Sequence, residues 1–407
     1  MHCGLLGRKL GHSYSPQIHS YLADYSYELF EKEPDELKEF LVHGDFCGLN
    51  VTIPYKKDVA SLCDILSDRA QKLGAVNTVV RNSEGKLIGH NTDYFGFLSM
   101  LNRTGISVNN KKVLVLGSGG ASVTAVAVLE ELDANVIVIS RTGENNYRNL
   151  YLHADASMIV NTTPVGMYPN VGVSPIDLNL FPDLEGVLDV IYNPARTQLL
   201  MDAEARGLIT ENGLWMLVAQ AKESAEWFTG RVISDSMIPQ IHQHLKSQME
   251  NIVLIGMPGC GKSSIGKLLA EKLNRKFIDI DNEIQINAAM TIPDIFSNYG
   301  EEEFRRMETE VLAEYGKQSG LVIATGGGCV TQIRNYPLLH QNGHIIWIQR
   351  DVDKLPVEGR PLSQKDNLHQ MYRTREPMYN KFCDNIVINE GCFTSIVCEI
   401  IKLEESR

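Results

Sequence analysis

Short apolar runs recur along the chain, and stretches with helical spacing alternate with them. Two of these runs, V-L-V-L at residues 113–116 and I-V-L-I at 252–255, each end directly at a glycine-rich loop. Apolar runs alternating with helical stretches are the pattern of βαβ units. The pattern therefore predicts an α/β protein with parallel sheets covered by helices.

The clearest division of the chain lies where a helical stretch, residues 240–250, passes straight into the apolar run at Asn251. A first strand followed at once by a phosphate loop is how a P-loop domain begins, so we predict the main boundary near residue 249 with almost no linker. A weaker boundary is predicted near residues 93–102. At 407 residues the chain has room for about two to four domains of ordinary size.

The first glycine-rich loop reads G-S-G-G-A at residues 117–121 and suits a bound pyrophosphate, because glycines let the backbone turn tightly and approach it. The spacing differs from G-x-G-x-x-G, so a turn without a ligand stays an alternative. The next apolar run, 135–139, ends in Ser140, Arg141 and Thr142, where NAD-binding proteins carry an acidic residue. A guanidinium there favours NADP over NAD, although an exposed arginine at a strand end is also common.

The second loop, G-M-P-G-C-G-K-S at residues 256–263, satisfies G-x-x-x-x-G-K-[ST] in full. Its backbone amides cradle phosphates, Lys262 reaches the β- and γ-phosphates, and the Ser263 hydroxyl is a ligand for Mg²⁺. This loop predicts a nucleoside triphosphate site but does not name the acceptor, because GTPases and ATPases use it as well.

Composition narrows the class of protein. A hydrophobic share of 43% is ordinary for a globular protein, and a formal net charge of -12 argues against non-specific nucleic-acid binding. The eight cysteines are scattered without a C-x-x-C pair, which favours reduced thiols over a disulfide framework. No signal-peptide pattern is present, and no apolar run approaches the roughly 20 residues that span a bilayer. We expect a cytoplasmic protein with no nucleic-acid or membrane partner, and the sequence predicts no particular oligomeric state.

Polar clusters in the first 93 residues suit a small polyhydroxylated carboxylic acid. They are G-H-S-Y-S-P at 11–16, N-V-T-I-P-Y-K at 50–56, G-A-V-N-T at 74–78 and N-T-D at 91–93. Together they offer many hydrogen-bonding groups, one ammonium and one carboxylate. Each cluster taken singly is also explained as a cap or turn, since Ser, Thr, Asn and Asp favour those positions.

Residues after the second loop suggest an anionic acceptor. In F-I-D-I-D at 277–281, the two carboxylates are expected on one face of a strand. Arg305 is expected on a helix, and the G-G-G at 326–328 lets backbone approach a ligand closely. Arg360 and Arg375 supply two more guanidiniums, the natural clamps for carboxylate and phosphate, although a lone arginine is often a solvated one.

The N-terminal motifs, taken together and in order, closely resemble shikimate dehydrogenase over roughly residues 4–245. The set continues with N-T-T-P-V-G-M at 161–167, D-V-I-Y-N-P at 189–194 and G-L-W-M-L-V-A-Q-A at 213–221. The family reduces 3-dehydroshikimate to shikimate with NADPH. The resemblance implies a catalytic pair, Lys56 and Asp93, and a substrate site formed by Ser13, Ser15, Thr52, Asn77 and Gln220. NADP(H) would contact Gly117, Gly119, Gly120, Ala121, Ser140, Arg141, Thr142 and Gly213.

One stretch departs from the dehydrogenase pattern. Residues 7–11 read G-R-K-L-G where many members have a Gly-x-Pro element, and the chain begins close to the first strand. We therefore expect that strand to be short.

The later motifs resemble shikimate kinase over roughly residues 251–395, with D-x-D, F-R-x-x-E, G-G-G, R-P-L and R-x-P-x-Y in that family's order. The resemblance implies that shikimate is bound by Asp281, Arg305, Gly327, Gly328 and Arg375. ATP would contact Gly259, Gly261, Lys262, Ser263, Ser264 and the lid arginine Arg360, with Ser263 and Asp279 serving Mg²⁺. Lys262 and Asp281 would be the catalytic residues. The stretch before Arg360 is shorter than the usual lid approach.

The two resemblances predict a dehydrogenase over residues 1–248 and a P-loop kinase over 249–407. In the first, residues 1–95 with about 215–248 would form the substrate domain, and 96–214 a Rossmann NADP domain. The favoured hypothesis is a bifunctional enzyme in which the product of one site is the substrate of the other. Two alternatives stay open: a kinase half that is regulatory or weakly active, and a dehydrogenase that uses quinate or NAD.

Overall fold

The structure is a computed structural model that describes residues 1–11, 13–355 and 365–407, without the side chains of 365–367. It has two compact units. The first comprises Met1–Pro164, Pro175–Tyr192 and Asp202–His244; the second comprises Val165–Ser174, Asn193–Met201 and Leu245–Arg407. Both units contain helices and largely parallel sheets, which confirms the predicted α/β class. The finer boundaries at residues 95, 215 and 248 stay predictions.

The strands, in chain order, are β1 (His2–Gly7), β2 (Ser26–Glu31), β3 (Gly48–Val51), β4 (Ile65–Leu66), β5 (Thr78–Arg81), β6 (Leu87–His90), β7 (Lys112–Leu116), β8 (Asn135–Ile139), β9 (Met158–Asn161), β10 (Gly186–Asp189), β11 (Ile209–Asn212), β12 (Asn251–Ile255), β13 (Phe277–Asp279), β14 (Val322–Ala324), β15 (Gly343–Gln349) and β16 (Asn385–Ile388).

The α-helices are α1 (Ser15–Leu22), α2 (Leu37–His43), α3 (Lys56–Leu62), α4 (Asp68–Leu73), α5 (Asp93–Thr104), α6 (Gly120–Glu131), α7 (Gln198–Ala205), α8 (Leu214–Thr229), α9 (Met237–Met249), α10 (Lys262–Leu273), α11 (Ile280–Ala288), α12 (Ile292–Gly316), α13 (Asn335–His340), α14 (Lys365–Phe382) and α15 (Phe393–Glu405). None of the helices in the described part of the chain is long and apolar enough to cross a membrane.

The first sheet has the order β2-β1-β3-β5-β6-β4. The expectation of a short first strand is wrong: β1 has six residues, and all of them pair with β2. Strands β3 and β6 both run antiparallel to β5, so they point in the same direction. Helix α3 follows β3 and α5 follows β6, which brings the N-termini of these two helices to one edge of the sheet.

The second sheet is parallel and has the order β11-β10-β9-β7-β8. The strand order reverses at β7, because β8 pairs on one side of it and β9 on the other. Ligands of open α/β sheets bind in the crevice at such a switch point, outside the carboxyl ends of the strands. The first glycine-rich loop begins there, directly after Leu116.

The third sheet, in the second unit, is also parallel and has the order β13-β14-β12-β15-β16. Its central strand β12 is wholly buried and leads into the second glycine-rich loop. A core of apolar side chains, including Ile252, Leu254 and Trp347, packs around this strand. The central strand therefore holds the loop in a fixed position.

One prediction about the second unit is wrong. Asp279 and Asp281 do not lie on one face of a strand, because β13 ends at Asp279 and α11 begins at Ile280. The Asp279 side chain accepts a hydrogen bond from the backbone N–H of Asn282 and caps the helix. Asp is a preferred capping residue, and its cap stops the strand one residue before Asp281 could join it.

Candidate active sites

The two residues that the resemblance implies as a catalytic pair, Lys56 and Asp93, are in contact in the first unit. Lys56 is the first residue of α3 and Asp93 the first residue of α5, and the Lys56 Nζ lies 2.5 Å from the Asp93 Oδ2. Their side chains are 27% and 14% exposed. A carboxylate this close orients the ammonium. The pair is partly accessible, so it can reach a ligand at the edge of the sheet.

Two predicted substrate residues lie beside this pair in the fold. The Asn77 Nδ2 donates to the Gln220 Oε1 at 3.4 Å, which joins the end of the loop before β5 to helix α8. Ser15 opens α1, and its backbone N–H donates to the Ser13 Oγ at 3.2 Å. Thr52 follows β3, and its backbone N–H donates to the Leu6 carbonyl.

Two tyrosines that the sequence reasoning missed face each other near these residues. Tyr14, between the two predicted serines, packs its ring edge-on against Tyr192, with 6.3 Å between centroids. Burial raises the pKa of both phenols, so both are neutral donors at ordinary pH. The only sequence signal for Tyr14 was its place between the serines.

The first glycine-rich loop has the shape that a pyrophosphate requires. Gly117 has a φ of +108°, which favours glycine, and a Cβ there would lie 2.8 Å from the Thr162 hydroxyl. Gly119 and Gly120, by contrast, border open space, since a Cβ on either would meet no heavy atom within 4 Å. That open space lies at the N-terminus of α6, where backbone N–H groups and the helix dipole favour an anion. The loop therefore fits a dinucleotide.

The predicted contacts for the 2′-phosphate lie just after β8. Ser140 accepts a hydrogen bond from the backbone N–H of Gly143, while Arg141 and Thr142 are exposed. Gly213 is the N-cap residue of α8, and a Cβ there would collide with the backbone of Val190, which directly follows β10. Ala121 lies in the first turn of α6.

The second glycine-rich loop has the form of a P-loop, and its lysine lies back across the loop. Gly259 and Gly261 have φ values of +82° and +106°, and α10 starts at Lys262. The buried Lys262 ammonium donates to the carbonyls of Gly256 and Met257, at 2.8 and 3.1 Å, and so lies across its own loop. Ser263 and Ser264 follow it on the exposed start of the helix.

Two oxygen ligands suited to Mg²⁺ meet where the end of β13 approaches the start of α10. The Ser263 Oγ donates to the Asp279 Oδ2 at 2.6 Å. Among the described residues no cluster of three His, Cys, Asp or Glu could hold a metal by itself. Mg²⁺ usually takes one or two protein oxygens and completes its shell with phosphates and water. The pair fits that role.

Arg305 in α12 is held by two carboxylates of unequal burial. Its Nη1 donates to Glu308 at 2.9 Å and its Nη2 to Glu301 at 3.1 Å, while its buried Nε has no hydrogen-bond partner. Burial raises the pKa of the Glu308 carboxyl. Sequence reasoning quoted Glu308 within a motif but assigned it no role; its spacing of three from Arg305 was the available signal.

A cavity of about 860 Å³ joins the predicted kinase residues. Its walls include Gly259, Gly261, Lys262, Ser263, Ser264, Asp281, Arg305, Gly327, Gly328 and Arg375. The Gly327 carbonyl accepts hydrogen bonds from Arg375 Nη1 at 3.1 Å and from the buried Tyr379 hydroxyl at 2.5 Å. Burial raises the pKa of Tyr379, which keeps it a donor. The cavity is therefore lined by the P-loop together with the predicted guanidiniums of Arg305 and Arg375 and the carboxylate of Asp281.

The same cavity contains residues that sequence reasoning did not find. Arg350, directly after β15, and Phe393, at the start of α15, both line it. Arg350 has a buried Nε without a hydrogen-bond partner. The lid arginine Arg360 lies outside the described residues.

Comparison with family models gives two matches. The model "Shikimate dehydrogenase substrate binding domain" matches residues 5–79, and the model "Shikimate kinase" matches residues 258–403.

Similar proteins agree with the first match. The shikimate dehydrogenase (NADP(+)) of Clostridium perfringens is 36% identical over 267 residues, which cover 60% of this chain and 97% of the relative. A solved chorismate mutase/shikimate 5-dehydrogenase fusion protein from Clostridium acetobutylicum is similar at a TM-score of 0.57 and 36% identity, over 60% of this chain and 97% of that chain. Shikimate 5-dehydrogenase from Thermus thermophilus, solved with NADP(H) and shikimate, has a TM-score of 0.55 and 32% identity, over 60% of this chain and 99% of that chain.

Proposed function

We propose, from the premise that this chain belongs to the shikimate dehydrogenase family and continues into a shikimate kinase domain, that it catalyses two successive steps on one metabolite. The first is NADPH-dependent reduction of 3-dehydroshikimate to shikimate. The second is ATP-dependent phosphorylation of shikimate to shikimate 3-phosphate, with Mg²⁺. We place the enzyme in the cytoplasm, which its scattered free cysteines favour.

The observation that carries the proposal is the cavity of the second unit. Its lining combines Lys262 and Ser263 of the P-loop with Asp281, Arg305 and Arg375, residue types suited to phosphoryl transfer to a hydroxyl acid. The first unit would produce this hydroxyl acid, and the second unit would phosphorylate it, so the two sites would catalyse consecutive reactions.

In the reduction step, Lys56 supports the charge that develops on the substrate. Bound NADPH supplies a hydride to the ketone carbon, and negative charge builds on the ketone oxygen. The Lys56 ammonium stabilises that charge and gives a proton to the oxygen. Asp93, 2.5 Å from the ammonium, orients it for the transfer.

In the phosphorylation step, the residues of the second unit position charge rather than form bonds to the substrate. ATP supplies the phosphoryl group. Arg305 and Arg375 hold the carboxylate of the acceptor, and Asp281 accepts the hydrogen bond of its attacking hydroxyl. Lys262 would neutralise charge on the phosphates, and Ser263 with Asp279 would hold the Mg²⁺.

Two substitutions separate the sites. Lys56→Ala is expected to abolish NADPH-linked reduction and leave ATP-dependent phosphorylation intact, and Lys262→Ala to do the reverse. The matched controls are Lys57→Ala in α3 and Lys267→Ala in α10, which remove an exposed lysine from the same two helices. Both controls should leave both activities unchanged.

The test is one reaction that contains 3-dehydroshikimate, NADPH, ATP and Mg²⁺. Formation of shikimate 3-phosphate supports the proposal. Formation of shikimate alone would make the kinase half regulatory or inactive. Loss of both activities in either folded single variant would refute independent sites.

A further inference from the structure

A buried hydroxyl lies at the centre of the polar side chains beneath the dehydrogenase substrate site. The Ser224 Oγ in α8 is fully buried and has four polar neighbours within 2.9 Å. They are Asn50 Nδ2 at 2.8 Å, Thr78 Oγ1 at 2.8 Å, Thr92 Oγ1 at 2.9 Å and the Gln220 carbonyl at 2.9 Å. One hydroxyl thus links helix α8 to three segments of the first sheet.

The direction of one hydrogen bond in this cluster is fixed by the backbone. The Thr92 N–H donates to the Asn77 Oδ1 at 2.7 Å, and a backbone N–H can only donate. The amide nitrogen of Asn77 must therefore face the other way, where it donates to the Thr92 Oγ1 at 3.0 Å and to the Gln220 Oε1 at 3.4 Å. The Gln220 amide is oriented in turn, and its Nε2 donates to the Leu217 carbonyl.

Ser224 offers an acceptor to the Thr92 hydroxyl. Because the Thr92 hydroxyl oxygen accepts from Asn77, its own proton is available to the Ser224 Oγ. Asn50 accepts from the Tyr27 hydroxyl at 2.8 Å, so its amide nitrogen also faces Ser224. Ser224 passes its own proton to the Gln220 carbonyl, and its oxygen has room for two of the three side chains around it, Asn50, Thr92 and Thr78.

We propose that Ser224 is a positioning residue that fixes which atoms Asn77 and Gln220 present to the substrate. This inference rests on the proposed dehydrogenase function, in which these two amides bind the substrate hydroxyls. Ser224 touches no reacting atom itself. It acts by keeping the Thr92 proton away from the amide oxygens that it could otherwise reach.

Removal of the Ser224 hydroxyl frees that proton. The Thr92 Oγ1 lies 3.3 Å from the Asn77 Oδ1 and 3.4 Å from the Gln220 Oε1, so its hydroxyl can turn to either amide. The pair then loses its single orientation, and the substrate loses about one neutral hydrogen bond. Ser224→Ala is therefore expected to raise the KM for 3-dehydroshikimate by roughly two- to tenfold. The KM for NADPH should not change.

The matched control is Thr229→Val in the same helix. The Thr229 hydroxyl donates to the carbonyl four residues before it, as Ser224 does, but it belongs to none of the contacts above. Both variants are compared in the full chain by NADPH-linked kinetics and by thermal melting. Ser224→Ala is also placed in an Asn77→Ala background, because residues that act through one another do not add.

The inference holds if Ser224→Ala raises the substrate KM, Thr229→Val does not, and the Asn77→Ala background removes the effect of Ser224→Ala. An unchanged substrate KM with a lower melting temperature would make Ser224 a packing residue and overturn the inference while the proposed function stands. Full additivity with Asn77→Ala would overturn it as well. If the unsubstituted enzyme does not reduce 3-dehydroshikimate, the proposed function fails and the inference fails with it.

Discussion

Two glutamates hold the same arginine in the kinase cavity, and their unequal burial predicts opposite effects on shikimate binding. The Arg305 side chain is 8% exposed, Glu308 is 0% exposed and Glu301 is 58% exposed. Glu308→Gln and Glu301→Gln each remove one negative charge from one partner of Arg305. The chemical change is the same, so any difference between the variants comes from the surroundings.

The buried partner matters more for stability. Removing one charge of a buried pair costs about 3–5 kcal/mol as an upper range, and glutamine keeps an acceptor oxygen, so we expect a loss of about 2–4 kcal/mol for Glu308→Gln. An exposed ion pair contributes about 0–1 kcal/mol, which sets the expectation for Glu301→Gln.

Substrate binding should separate the variants further. Glu308 fixes the guanidinium in the cavity, and without it a charge-assisted hydrogen bond to the shikimate carboxylate is weakened, which raises the KM for shikimate by roughly tenfold or more. Glu301 accepts a hydrogen bond from the Arg305 Nη2, and loss of its charge leaves the guanidinium more available to the substrate carboxylate, so Glu301→Gln should lower the KM by about twofold.

The assays are kinase kinetics with shikimate varied at saturating ATP, and hydrogen exchange of peptides from α12. The exchange measurement reports local stability without assuming that both units unfold together. Equal losses of stability, or shifts of the KM in the same direction for both variants, would refute the argument that burial decides the roles of the two glutamates.

Three further predictions concern single residues. Arg141→Gln should raise the KM for NADPH roughly tenfold and leave the KM for NADH unchanged. Equal shifts of the two KM values would show that Arg141 does not bind the 2′-phosphate. Burial raises the pKa of Glu223 from 4.5 to about 7. The folded state therefore holds the proton more strongly, and the free energy of unfolding should fall by up to about 3 kcal/mol as pH rises from about 4.5 to 7. Glu223→Gln should abolish that fall in pH-dependent melting, and a variant with the same pH dependence would contradict the assignment. In Gly328→Ala the new methyl would collide with the Arg305 guanidinium, so the KM for shikimate should rise while that for ATP does not; a rise in both would indicate a general collapse of the cavity.

The sequence predicted what is encoded locally. The apolar runs around residues 113–116 and 252–255 form strands, and the glycine loops after them begin helices as expected. Lys56 and Asp93 were placed together only through a resemblance, because 37 residues separate them and their meeting depends on the parallel directions of β3 and β6.

Residues that support other side chains were beyond local reasoning. Ser224 reads as an ordinary helical serine, and its contact with Asn50 spans 174 positions of the chain. The strand assigned to Asp281 was wrong for a local reason, since alternation favoured a longer strand and the cap formed by Asp279 ended it. At such a position the alternation of apolar residues favours a strand while the capping residue favours the start of a helix. The alternation alone does not show which of the two forms.

Glycines in the two sites have different structural surroundings. Gly119 and Gly120 border open space, so their lack of a side chain leaves room for a ligand at the start of α6. At the G-G-G of residues 326–328, which also lines the kinase cavity, an added Cβ would meet protein atoms.

A Cβ on Gly326 would lie 2.7 Å from the Asp281 Oδ1 and 2.6 Å from the Glu308 Oε1, and a Cβ on Gly327 would lie 2.5 Å from the Pro258 ring. The triple glycine therefore lets the acceptor-binding side chains and the P-loop approach one backbone segment, whose Gly327 carbonyl then binds Arg375. An alanine in this segment should displace these side chains before it meets any substrate, whereas an alanine at Gly119 should disturb only the bound dinucleotide.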